Sequence, residues 1–145
     1  MNTLALAIQF ASDRHAQQVD KGGKPYILHP LRVMMRLRTN DEELMAIAVL
    51  HDVVEDCGVT FYELRALGFS ERIVRAVNLL TRRPGESYEY FIEQLAGNKD
   101  ALRVKREDLR DNSDITRMRG IGEKDIARLQ KYMRAFVRVE ELLGE

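Results

Sequence analysis

The sequence is short of several things, and each shortage excludes something. Its 145 residues include one cysteine, Cys57, so neither an intrachain disulfide framework nor a cysteine-rich zinc site is available. It has three prolines, at positions 25, 30 and 84, and the long intervals between them read as helix. It has no net charge, because 23 Lys+Arg balance 23 Asp+Glu. That balance excludes a highly basic nucleic-acid-coating chain and, taken alone, argues against an anionic substrate. No apolar run approaches the about 18 residues of a membrane span. The start, Met1-Asn2-Thr3-Leu4, lacks the basic region and cleavage site of a signal peptide. The expected setting is the cytoplasm, without membrane or nucleic-acid partners. Internal repeats and low-complexity linkers are absent too, so one domain over residues 1–145 is expected.

What is present is helical patterning. Few segments combine alternation with β-branched residues, so strands are not expected. A first helix is read over Thr3 to Gln18, with Leu4, Ile8 and Ala11 at helical spacing. Asp20 to Pro25 is a loop by its breakers. Leu31 to Arg38 is a short helix opened by Pro30. Asn40, with Glu43 three residues on, caps the next helix, which carries Leu44, Ile47, Ala48 and Leu50 and runs to Cys57-Gly58. It is apolar on nearly every side, hence central. Thr60 and Glu63 cap a helix to Leu67, Ser70 opens one to Leu80, and Ser87 caps one to Ala96. Asn98 to Asn112 is helical. The last helix, Glu123 to Leu143, is expected to turn Ile126, Leu129, Met133, Phe136, Val137 and Leu142 inward. The fold class is all-α, a compact bundle of many short helices.

Polar groups interrupt the central helix. His51-Asp52 is followed by Glu55-Asp56, so at about 100° per residue 51 and 55 share one stripe, and 52 and 56 the next. Burying such a patch unpaired is costly, and a bound cation offsets the cost. Glu55 and Asp56 at a helix C-terminus would oppose the macrodipole, which also favours a cation. His29, after the glycine-rich loop, is a candidate third ligand. Asp108 is a candidate fourth, with Asp111 and Asp114 close behind it in sequence. Two histidines and two aspartates suit Mn²⁺, Fe²⁺ or Zn²⁺. His15 follows the apolar stripe of the first helix and reads as a packed, hydrogen-bonded histidine. Lys105 and the pair Arg82-Arg83 read as solvated charges.

Four segments then occur in order: Phe10-Ala-x-x-x-x-His15-x-x-Gln18, Gly23-Lys-Pro-Tyr-Ile-Leu-His29-Pro30, Leu50-His-Asp-Val-Val-Glu-Asp56 and Val104-Lys-x-x-Asp-Leu-x-x-Asn112. Together they resemble the hydrolase domain of the RelA/SpoT homologues, a branch of the HD phosphohydrolases, over residues 3 to 135. The resemblance implies an all-α fold and one divalent metal, Mn²⁺, held by His29, His51, Asp52 and Asp108. It implies hydrolysis of the 3′-pyrophosphate of guanosine alarmones, with Glu55 and Asp56 acting on the attacking water. It selects Asp108 over Asp111 and Asp114 and places Asn112 on the nucleotide. Lys21 and Lys24 are expected to neutralise substrate phosphates. The length suggests a stand-alone small alarmone hydrolase, and association of like chains is left open. Asp20-Lys21 stands where the resemblance implies an Arg-Lys pair. An adenine alarmone, NADPH or another nucleotide, or a nucleotide-sensing module without turnover, therefore stays open beside the guanine reading.

Overall fold

The computed structural model describes residues 2–145. Among them the chain forms nine α-helices and one 3₁₀ turn. These are α1 (Thr3–Arg14), α2 (Leu28–Arg36), α3 (Glu42–Leu50), α4 (Val53–Cys57), α5 (Phe61–Ala66), α6 (Glu71–Leu79), α7 (Tyr88–Glu93), α8 (Lys99–Asn112), the 3₁₀ turn Ile115–Arg117 and α9 (Glu123–Leu143). The all-α class holds, and the only β-type pairing described is an isolated bridge between Val19 and Pro25.

α3 is the centre. Leu44, Ala46, Ile47, Ala48, Val49 and Leu50 are all buried, and α1, α2, α6 and α8 pack around it. An apolar surface on every side is what a helix enclosed by four others requires. The cap differs from expectation. Asp41 accepts the Leu44 amide, whereas Asn40 takes no part and there is no capping box with Glu43. The box of Thr60 and Glu63 forms as read, and the caps at Ser70, Ser87 and Asn98 form too.

Three further boundaries move. α1 stops at Arg14, before His15. α2 begins at Leu28, so His29 stands in its first turn and not ahead of it, and Pro30 needs no amide partner there. The central helix does not run through to Cys57. It breaks at His51 and Asp52, where the His51 imidazole Nδ1 donates to the Ala48 carbonyl at 2.6 Å and Asp52 adopts φ −107°, ψ −3°. A side chain competing for a helical carbonyl is a local reason for that break. Residues 51 and 55 therefore do not share a stripe of one helix. Glu55 and Asp56 fall in the first turn of α4, where acids suit the dipole and do not oppose it.

α9 lies on α7 and α8. Its buried stripe is Ala135, Val139 and Leu143, flanked by Tyr132, Phe136 and Leu142. Ile126, Met133 and Val137 face outward, contrary to the sequence reading. The apolar arc of this helix is wider than its contact surface, and the turn-by-turn set 132, 135/136, 139, 142/143 is the one that packs.

Candidate metal centre

Two helices and one helix break deliver the polar cluster. α2 supplies His29, the α3–α4 junction supplies His51 and Asp52, and α8 supplies Asp108. His29, His51 and Asp108 are buried, and one ligand atom from each lies within 4.8 Å of the others. His29 Nε2 is 2.9 Å and His51 Nε2 3.3 Å from Asp108 Oδ1. Asp52 Oδ2 is 3.1 Å from His51 Nε2 and 3.8 Å from His29 Nε2. The four candidate ligands thus converge on one point.

The tautomers follow from the outer nitrogens. His29 Nδ1 donates to Asp111 at 2.7 Å, and His51 Nδ1 donates to Ala48. Each neutral ring then presents its Nε2 lone pair to carboxylate oxygens at contact distance. Lone pair facing lone pair is repulsive, and either a proton on the ring or a cation between the groups reconciles the arrangement. Burial disfavours charged His29, but hydrogen bonds to Asp108 and Asp111 outweigh it and raise its pKa. Burial likewise opposes charge on His51 and is overcome by Asp52 and Asp108. Burial opposes the charge of Asp108 too, yet Lys105 and the two histidines hold its pKa well below the ordinary range. Ligands about 2 Å from a shared ion stand about 3 Å from each other, which matches these separations. The donor set, two imidazole nitrogens and two carboxylates, fits a divalent metal of the N/O-binding kind.

The neighbours were only partly legible. Tyr26 donates to Asp52 Oδ2 at 2.5 Å and Asn112 Nδ2 to Asp108 Oδ1 at 3.1 Å. Asp111 is wholly buried and takes Arg32, Arg36 and Arg117 besides His29. Tyr26 was missed, and Asp111 was weighed only as a rival ligand to Asp108. Their signal lay in spacing, three residues before His29 and three after Asp108, but a tyrosine or an extra aspartate is too common to single out. Lys105 corrects another expectation. It is not a solvated lysine, since its side chain is 12% exposed and Nζ donates to Asp108 Oδ2 at 2.8 Å.

Glu55 and Asp56 are exposed at the edge of the cluster. Glu55 accepts the Arg82 backbone amide at 2.9 Å, and burial of its carboxyl raises its pKa. Asp56 accepts from Gln18 Nε2 at 3.1 Å. Gln18 in turn accepts from His15 Nδ1 at 2.8 Å, so the buried His15 is hydrogen-bonded as expected. A cavity of about 530 Å³ opens beside the cluster, with His29, Lys21, Asn112, Arg117, Arg128 and Tyr132 in its wall. Lys24 does not line it. Its backbone amide, with that of Gly22, donates to Asp20 Oδ1, which ties up the loop.

Residues 7–121 match the sequence model of the HD domain. The chain belongs to the HD domain family. This HD domain is 33% identical over 116 residues to a guanosine-3′,5′-bis(diphosphate) 3′-pyrophosphohydrolase of Aquifex aeolicus, a match covering 73% of the chain and 16% of that relative. It is 39% identical over 94 residues to a probable enzyme of the same name in Synechocystis, covering 63% of the chain and 12% of the relative. The zebrafish (Danio rerio) pyrophosphohydrolase MESH1 is 38% identical over 80 residues, 51% of the chain and 44% of the relative. The chain therefore spans only a small part of the two bacterial relatives. One solved structure, described as a metazoan ortholog of SpoT that hydrolyses ppGpp, superposes with a TM-score of 0.78 at 22% identity. That superposition covers 99% of this chain and 93% of the other, and it establishes the shared fold. Among the described residues of the HD domain, no helix is long and apolar enough to cross a membrane.

Proposed function

We propose that this HD domain hydrolyses the 3′-pyrophosphate of a guanosine alarmone, (p)ppGpp, releasing GDP or GTP and pyrophosphate. The observation that carries the proposal is the convergence of His29, His51, Asp52 and Asp108 beside a cavity walled by cationic side chains. The relatives named above are pyrophosphohydrolases of that substrate, which supports the choice.

In this reading His29, His51, Asp52 and Asp108 hold one divalent metal, with Mn²⁺ the ion of choice. When bound, the metal supplies Lewis acidity at the phosphoryl oxygens and at the attacking water. Glu55, whose carboxyl pKa burial raises, accepts a proton from that water. Asp56, aimed by Gln18, orients it. The water oxygen bonds to the phosphorus next to the ribose, the O3′–P bond breaks, and the proton taken up by Glu55 is returned to O3′. Lys21 neutralises phosphate charge from the cavity wall, with Lys24 at the loop's outer side, and Asn112 spans between Asp108 and the nucleotide.

A second reading keeps the chemistry and changes the base to adenine, as in an adenine alarmone or NADPH. It is favoured by Asp20, whose carboxylate is engaged by its own loop, so that loop offers no guanidinium to stack on guanine. The test is incubation with Mn²⁺ and a panel of ppGpp, its adenine counterpart and NADPH, with products separated by chromatography. GDP plus pyrophosphate from ppGpp is expected. Intact ppGpp beside cleavage of an adenine substrate favours the second reading. No turnover of any, with nucleotide binding retained, points to a sensor and overturns the proposal.

A further inference from the structure

Beside Lys105, which meets Asp108, two cations that the metal centre does not explain stand around one aromatic ring. Tyr88 opens α7. Arg82 comes from the α6–α7 loop, Lys105 from α8 and Lys131 from α9. Their charged atoms lie 5.6, 5.5 and 4.6 Å from the Tyr88 ring centroid. Lys105 also faces Phe91 at 5.2 Å, and Lys131 faces Tyr132 at 5.6 Å.

Charge there is poorly compensated. Lys105 pairs with Asp108 and Arg128 with Asp125, but Arg82 and Lys131 make no ion pair among the described residues. The Arg82 guanidinium donates only to the Glu86 carbonyl. Burial and the nearby charges of Arg82, Lys105 and Arg128 hold Lys131 below the usual lysine range. The aromatic face eases this repulsion, though an anion would relieve it far more. The second observation is the Tyr88 hydroxyl, whose oxygen is buried beside Lys105 and donates to no group among the described residues. A buried donor left unmet is unfavourable and calls for an acceptor. Beside it stand the long, adaptable side chains of Arg82 and Lys131, which can swing to admit one.

The cluster adjoins the metal centre by two direct links. Lys105 Nζ touches Asp108 Oδ2, and the Arg82 amide is held by Glu55. None of the three cations lines the 530 Å³ cavity, whereas Tyr132 does, so the cluster is a separate station at the cavity's border. Arg83, by contrast, is committed to its own turn through the Asn78 and Thr81 carbonyls.

We propose that Arg82, Lys105 and Lys131, arrayed around Tyr88, form a binding site for a pyrophosphate anion and receive the group released when the O3′–P bond breaks. This rests on the hydrolase reading above for its role, though not for its ligand chemistry.

The test titrates inorganic pyrophosphate by calorimetry into the full chain without added divalent metal. Arg82→Met and Lys131→Met are each expected to weaken binding about tenfold, the loss of one charge-assisted contact. Tyr88→Phe keeps the ring and should weaken binding less, with an unchanged thermal melt. Lys124→Met, at the exposed start of α9, removes a charge elsewhere and should leave binding unaltered. Absence of pyrophosphate binding, or affinity unchanged in both Arg82→Met and Lys131→Met, overturns the site. If alarmone is cleaved while those affinities stay unchanged, the site fails and the hydrolase reading stands. If pyrophosphate binding depends on Arg82 and Lys131 but no alarmone is cleaved, the anion site stands and the hydrolase reading fails.

Discussion

His29 Nδ1 donates to Asp111 Oδ2 across 2.7 Å, and Arg32, Arg36 and Arg117 donate to the same carboxylate. The buried carboxylate thereby fixes both the tautomer and the tilt of a candidate metal ligand. Outer carboxylates of this kind strengthen metal binding by orienting the imidazole. Asp111→Asn is expected to lower metal affinity by about 10- to 100-fold, read by Mn²⁺ titration. Asp111→Ala should in addition cost about 3 kcal/mol of stability, because it strands three guanidinium groups. Unchanged Mn²⁺ affinity in Asp111→Asn would remove Asp111 from the metal centre.

Tyr26 acts on the other side of the cluster. Its hydroxyl donates to Asp52 at 2.5 Å, and burial with the charge of Asp52 raises its pKa, so it stays a donor at all ordinary pH. Tyr26→Phe frees Asp52 to rotate. Metal affinity or turnover should fall by about tenfold, with folding intact by circular dichroism. Wild-type values for both would show that Asp52 is fixed without the tyrosine.

Gln18, which lines the cavity, is expected to act through Asp56 and not through the metal ligands. Its amide bridges His15 and Asp56, away from the imidazole nitrogens of the metal centre. Gln18→Leu should reduce kcat about tenfold or more by misplacing the acid, with Mn²⁺ affinity unchanged by calorimetry. A loss of metal affinity equal to the loss of kcat would assign Gln18 to the metal centre.

Much of the fold was legible because it rests on local signals. The Thr60–Glu63 capping box and the serine caps depend on residues three apart, and α3 declared itself by being apolar all round. The break at His51 was not legible, since it comes from an imidazole bonding its own helix, a contact that periodicity does not encode. The outward turn of Ile126, Met133 and Val137 was missed for a related reason: an apolar arc says that a helix is half buried, and its neighbours decide which half. In the site, His29, His51 and Asp52 were candidates because their types suit a metal, whereas Asp108 was chosen over Asp111 and Asp114 by the resemblance, and the four side chains come together in the fold. Asp111, Tyr26 and Lys105 work by holding other residues, so their roles exist only once α2, α8 and the Asp20 loop have been brought together.

Stability has its own test far from the cluster. Arg72 on α6 bridges Asp41 and Glu43 at the start of α3 and Asp100 at the start of α8. The Arg72 hydrogen bond holds the Asp41 pKa below the ordinary carboxylate value. A depressed folded pKa contributes stability above the unfolded value, about 4, and loses it as pH falls through the folded one. The pairs are partly exposed, so Arg72→Met should cost about 1 kcal/mol at pH 7, by urea denaturation. That difference should shrink at pH 3. An equal difference at both pH values would show that the arginine acts through packing.

Asp108 is shared by four side chains. One oxygen meets His29, His51 and Asn112, and the other meets Lys105. Substitutions among these five positions will therefore be epistatic, and their effects will not sum. For a lineage they form a single inherited block, in which one change is tolerated only with another. The Asp20–Lys24 loop and the Met118–Gly120 stretch border the 530 Å³ cavity without a hydrogen bond to Asp108 or Asp111 among the described residues. Selection for a new nucleotide has room to work there, one residue at a time, while the metal-holding block is left alone.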